Sequence, residues 1–98
     1  MDDRRKSLRW HGTLPCRLEQ GEGGFTGQVV NLSFDGARID DPSELPSLGS
    51  EIVVILRPER ENVSMRARVV YVRQRQFGVE FCGSRTDHLE ALKPFFQL

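Results

Sequence analysis

The chain has 98 residues, and its 14 Lys and Arg are balanced by 14 Asp and Glu, so the formal net charge is zero. That length allows one domain with one modest core. The charge balance gives no general attraction to a nucleic acid polymer or an anionic membrane, so any anion must be held by a local concentration of arginine. A hydrophobic fraction of 38 % and a charged fraction of 29 % fit a folded soluble chain and not a disordered one. No apolar run approaches the ~20 residues that span a bilayer. The first ten residues lack the apolar stretch of a secretory signal, so a cytoplasmic protein without membrane insertion is expected.

Residues 1–11 hold Arg4, Arg5, Lys6 and Arg9, with Leu8 and Trp10 as the apolar side chains among them. Little there can be buried, and a flexible arginine-rich tail is expected. From residue 12 to residue 83 the dominant period is two. Leu14, Cys16 and Leu18 alternate with polar or turn-forming neighbours. So do Ala37 and Ile39; Val63, Met65, Ala67, Val69 and Tyr71; and Phe77, Val79 and Phe81. Arg66 and Arg68 fall on the opposite parity and should point outward. The run Ile52–Leu56 is continuously apolar and β-branched, and reads as a strand covered on both faces. Turn signals at Gly21–Gly24, Phe34–Gly36, Asp41–Gly49, Pro58–Asn62 and Gln74–Gln76 separate these runs. Six strands on so short a chain are expected to close into an antiparallel barrel, because closure removes exposed edges.

Residues 84–98 change period. Ser84 or Thr86 is placed to cap a helix, and Leu89, Leu92, Phe95 and Phe96 recur at helical spacing. Pro94 lacks a backbone donor and is expected to end or kink that helix near Lys93. The fold class is therefore all-β with a C-terminal helix laid on a six-stranded antiparallel barrel.

No catalytic constellation is visible. His11 and His88 lack a Ser, Cys or Asp companion at a recognisable spacing and read as surface residues. Asp40, Asp41, Glu44 and Glu51 read as a solvated face, not a metal cage. Cys16 and Cys82 read as two buried reduced thiols, with neither the spacing of a zinc site nor a disulfide. A metal, a cofactor and an enzymatic activity are accordingly not expected.

Two segments carry complementary chemistry. Arg4-Arg5-Lys6-Ser7-Leu8-Arg9 offers guanidinium groups that fork toward phosphate, stack on rings and pair with the O6/N7 edge of guanine. Asn31-Leu-Ser-Phe-Asp-Gly36 offers an amide, a hydroxyl and a glycine that lets backbone approach a flat ligand. The plainer reading of the second segment is a strand end and turn, in which Asn31 and Ser33 bond local backbone and Gly36 supplies a positive φ.

In combination, Arg5-x-x-x-Arg9 and Asn31-x-Ser33-x-x-Gly36 resemble the RxxxR and (D/N)xSxxG motifs of PilZ domains. Gly78-Val-Glu-Phe81 is similar to the strand that ends that family's barrel. The resemblance covers nearly the whole chain. It implies a receptor for the bacterial second messenger cyclic di-GMP, in which Arg5 and Arg9 hold phosphate and guanine while Asn31, Ser33 and Gly36 read a guanine on the barrel surface. Asn31 stands where many members have Asp, and an amide forgoes the carboxylate's charge-assisted bonds to guanine N–H groups. Arg4 before Arg5 gives RRxxxR, which in this family accompanies an intercalated pair of ligands. Arg38 and Arg75 are further candidates for the rim of the site. For Trp10, a stacking role and a core anchor at the first strand both stand open.

The output implied is a surface presented to an unidentified effector protein once the ligand has ordered the arginine segment. One rival is an adaptor with the same fold that needs no nucleotide. A second is a barrel that binds single-stranded nucleic acid, which would want aromatics interleaved with basic residues along its strands. With one Trp, one Tyr and most Phe at core parity, the sequence disfavours it.

Overall fold

Alternation sets the inside and outside of the strands, and the computed structural model, which describes residues 9–57, 60 and 62–96, follows it except at a few register irregularities. Among the described residues the strands are β1 (Arg9–Gln20), β2 (Gly23–Ser33), β3 (Gly36–Asp40), β4 (Glu51–Leu56), β5 (Val63–Arg73) and β6 (Gln76–Phe81), followed by helix α1 (Arg85–Phe96). The strands form a closed antiparallel barrel in the order β1-β2-β3-β6-β5-β4. Its interior is filled by side chains from every strand, among them Leu18, Val29, Ile39, Val54, Val69 and Phe77, all with essentially no exposure. At roughly 1.5–3 kcal/mol for each large aliphatic or aromatic side chain, this burial is the main force holding the barrel.

The barrel begins earlier than residue 12. Arg9, Trp10 and His11 already belong to β1 and stand opposite Ser33, Leu32 and Asn31 of β2. Trp10 explains this. Its ring packs edge-on against Phe95 of α1, with centroids 5.7 Å apart, and it joins the margin of the core. The expected flexible tail of residues 1–11 is thus corrected for residues 9–11. Arg4 and Arg5 lie outside the described residues.

The run Ile52–Leu56 is also different from expectation. Ile52, Val54 and Leu56 are buried, but Val53 and Ile55 are half-buried. Their outward neighbours across the sheet are Glu19, Arg17, Arg66 and Ser64, so cover comes from adjacent strands and not from a second layer. Arg66 and Arg68 are exposed, as their parity requires.

The loop between β3 and β4 closes off a sheet edge. Ser43 donates its backbone N–H to the carbonyl of Thr26 (2.8 Å), and the Thr26 N–H donates to Ser43 Oγ (3.0 Å).

Helix α1 starts at a single cap. Ser84 Oγ accepts the backbone N–H of Asp87 at 3.2 Å, which selects Ser84 over Thr86. Pro94 does not end the helix, which continues to Phe96. The donor it lacks falls in the last turn, where the carbonyl it leaves free belongs to exposed Glu90. Phe95 on Trp10 and Phe96 on Phe34 (centroids 4.6 Å apart) hold that turn on the barrel. His88 is buried and not a surface residue. Its Nε2 lies 3.0 Å from the carbonyl of Cys82, to which it donates, and its ring packs against Phe81. Both cysteines are free, but only Cys16 is buried, and desolvation pushes its thiol up to about 11, a backbone hydrogen bond with Gly27 opposing. Cys82 is half-buried.

Leu92 is the fully buried anchor of α1. Leu92→Ala should lower unfolding free energy by about 2–5 kcal/mol, read from urea denaturation, with the barrel's β-sheet signal kept in the folded baseline.

Candidate functional site: an open cleft across five strands

In a regular strand Val29 and Asn31 would face the same side. A register irregularity between them breaks the alternation. Val29 and Leu32 are buried, while Val30 and Asn31 between them are partly exposed. Such a bulge adds one residue without disturbing the core on either side of it, and turns Asn31 outward. A second irregularity, in β5 between Val69 and Tyr71, does the same there. Val70 is exposed, Val72 takes the core parity, and Tyr71 faces out, correcting its expected place in the core. The result is one row of register partners across five strands: His11, Asn31, Arg38, Gly78 and Tyr71.

Asn31, Arg38 and Tyr71 of this row line an open cleft of about 350 Å³, within the ~300–1,000 Å³ usual for small-molecule sites. Arg9, Asn31, Ser33, Gly36 and Arg38 all line it. Arg9 Nη1 donates to Asn31 Oδ1 at 3.2 Å, and Asn31 Nδ2 lies 3.5 Å from His11 Nδ1. Asn31 therefore bonds a side chain across the strand pair and not its local backbone.

Ser33 behaves as the plainer reading expected. Its buried hydroxyl accepts the backbone N–H groups of Asp35 (3.2 Å) and Gly36 (3.3 Å), folding the loop between β2 and β3. Gly36 does not supply a positive φ. Its requirement is steric: a Cβ there would stand 2.1 Å from the Val79 carbonyl oxygen, so only glycine lets β3 lie this close to β6.

Two acidic partners hold arginines in place. Asp40 takes one edge of the Arg38 guanidinium, accepting from Nε at 2.9 Å and from Nη2 at 3.2 Å. The hydrogen bond and charge of Asp40 push the Arg38 pKa up. Asp35, at the cleft's other end, takes Arg85 of α1 at 3.1 Å, and that guanidinium lies 5.9 Å over the Phe34 ring. Arg75 is not brought to the cleft. It sits in the β5–β6 turn at φ 62° and pairs with Asp41. Trp10 is also absent from the cleft, because it packs on the helix. Its two open readings resolve to the core anchor.

Sequence reasoning missed Tyr71, Val70, Asp35 and Glu80, which also line the cleft. The signal for Tyr71 was the unbroken apolar run Val69–Val72, where alternation loses its phase. Gly78 makes room for it: a Cβ at Gly78 would fall 2.1 Å from Tyr71 Cε2. Arg73 covers the same ring at 5.2 Å.

The family pattern of the PilZ domain matches residues 3–97. The chain belongs to the PilZ domain family. Its barrel is similar to the PilZ domain of CeSA from a cellulose-synthesizing bacterium, with a TM-score of 0.75 and 16 % identity over 92 % of this chain and 96 % of that one. It is also similar to the Bacillus subtilis inhibitor of motility MotI/DgrA, with a TM-score of 0.72 and 18 % identity over 92 % of this chain. Only 48 % of that second chain is covered, so this PilZ domain spans about half its length. At these identities the likeness is one of fold. No curated protein sequence gives a significant match. Among the described residues, no helix is long and apolar enough to cross a membrane.

The Gly78–Tyr71 fit is testable by a double-mutant cycle. Gly78→Ala should destabilise the domain by about 1–3 kcal/mol in thermal or urea melts. Most of that loss should vanish in a Tyr71→Ala background. Additive losses would show that the clash is with something other than the ring.

Proposed function

We propose that this PilZ domain is a cytoplasmic receptor for cyclic di-GMP that works by binding alone. The contact that carries the reading is Arg9 Nη1 to Asn31 Oδ1, which joins the family's two motifs at one cleft. The ligand has two phosphates and two guanines. Arg9, with Arg4 and Arg5 closing from the preceding segment, takes phosphate and the O6/N7 edge of guanine. Asn31, Ser33 and Gly36 form the wall against which a guanine lies, and Tyr71 lines the same cleft. A neutral domain thereby obtains a local cationic site, for which Arg38 supplies a further fixed charge.

Ordering backbone costs about 1–2 kcal/mol per residue. Arg9 and Trp10 are already fixed in β1, by Asn31 and Phe95, so that cost does not fall on them. The signal passes to an effector protein through the surface formed when the arginine segment closes. The intercalated ligand pair implied by Arg4-Arg5 remains part of this proposal.

Titration calorimetry tests it. The intact domain should bind cyclic di-GMP with an affinity that falls as salt rises. Arg5→Ala should abolish measurable binding. Arg9→Ala should weaken it about 10- to 100-fold, the value of one charge-assisted hydrogen bond. Arg4→Ala should change the stoichiometry from two ligands per chain to one. No binding by the intact domain, with an effector captured equally well without nucleotide, would favour the nucleotide-independent adaptor.

A further inference from the structure

The cleft is not uniformly cationic. Arg9 and Arg38 line it, and so do the carboxylates of Asp35 and Glu80. Most carboxylates near this surface are already engaged. Asp40 holds Arg38 and Asp35 holds Arg85. Arg68, which stands opposite Glu80 in the sheet, turns instead to Glu51 at 3.8 Å. Among the described residues Glu80 has no ion-pair partner, and it is exposed at the cleft. Asn31 Oδ1 already accepts from Arg9, which leaves it one lone pair, and it carries no charge with which to take two base donors together.

A cleft lined both by guanidinium groups and by a carboxylate with no ion-pair partner among the described residues can tell the edges of a base apart. Guanine matches it. Its Hoogsteen edge presents two acceptors, O6 and N7, to arginine. Its Watson–Crick edge presents two donors, N1–H and N2–H₂, which a carboxylate accepts together. Adenine offers an N1 lone pair at that edge and would meet the carboxylate with repulsion. Hypoxanthine keeps N1–H but lacks the N2 amine.

We propose that Glu80 is the residue that makes this cleft selective for guanine, by accepting N1–H and N2–H₂ from a base whose O6/N7 edge faces arginine. The inference rests on the reading of the cleft as a cyclic dinucleotide site, and adds to it the group that chooses the base. Gly36 and Glu80 are register partners, so the close approach of β3 to β6 that demands glycine also sets Glu80 beside the Asn31–Gly36 loop. An isolated acidic side chain near two phosphates would otherwise only weaken binding. A carboxylate at the cleft with no ion-pair partner among the described residues is accounted for by the base it reads.

The test compares three ligands, the cyclic dinucleotides of guanine, hypoxanthine and adenine, on the intact domain and on Glu80→Ala and Glu80→Gln. The intact domain should prefer guanine over hypoxanthine by about 10-fold and over adenine by more, because a site built to accept a base donor rejects the analogue that lacks it. Glu80→Ala should bring the guanine and hypoxanthine ligands within about twofold of each other, by lowering the affinity for guanine. Glu80→Gln should fall between, since it keeps an acceptor oxygen without the charge. Thermal melts of both variants confirm folding, and Glu80 is exposed, so both should melt near the parent. If both variants keep the parent's preference, or bind all three ligands more tightly in equal measure, Glu80 is a passive or repulsive charge and this proposal falls alone. If the parent binds none of the three, the cyclic dinucleotide reading falls with it.

Discussion

The site depends on a loss of register in β2. Between Val29 and Leu32 the chain spends one residue more than alternation allows, and that residue separates two demands that a regular strand cannot meet together. Val29 and Leu32 must both stay in the core, where neither is exposed. Asn31 must face outward, opposite Arg38 and within reach of Arg9. The β5 irregularity repeats this solution three strands away and swings Tyr71 onto the same surface row. The barrel keeps its packed interior while the outside gains a continuous polar strip ending in an aromatic ring.

The helix is built into this arrangement as well. Its last turn sets Phe95 on Trp10, the neighbour of Arg9, and Phe96 on Phe34, the neighbour of Ser33. Its first turn sends Arg85 to Asp35. Arg9 and the Asn31–Gly36 segment are thus braced from behind by one element, which is itself held by buried Leu92 and by the His88–Cys82 hydrogen bond. An exposed ion pair such as Arg85–Asp35 adds little stability, so the aromatic pairs carry the bracing.

Much of this was legible in the chain. Alternation at Leu14–Leu18, Ala37–Ile39, Val63–Val69 and Phe77–Phe81 located strands, and the motif pair located the cleft. What escaped had physical reasons. Tyr71 and Val70 lie where apolar residues run without a break, so period two carries no phase. His88 looked like a surface residue because its buried partner is a backbone carbonyl, and a carbonyl has no sequence signature. Pro94 looked like a stop because propensity rules weigh the missing donor and not the two aromatic contacts beyond it. Gly36 looked like a turn residue, and only the position of β6 shows that it is a spacing requirement between strands. Arg75 was near in sequence to a plausible rim, but the turn carries it to Asp41.

Ser43 has a meaning beyond the loop that contains it. By taking both the N–H and the carbonyl of Thr26, it occupies the two groups through which an incoming strand would have to register on β2. A β-rich chain with exposed, alternating strands is otherwise prone to template copies of itself. One serine at this position blocks the rung, and so helps keep a sheet-rich surface from growing by strand addition.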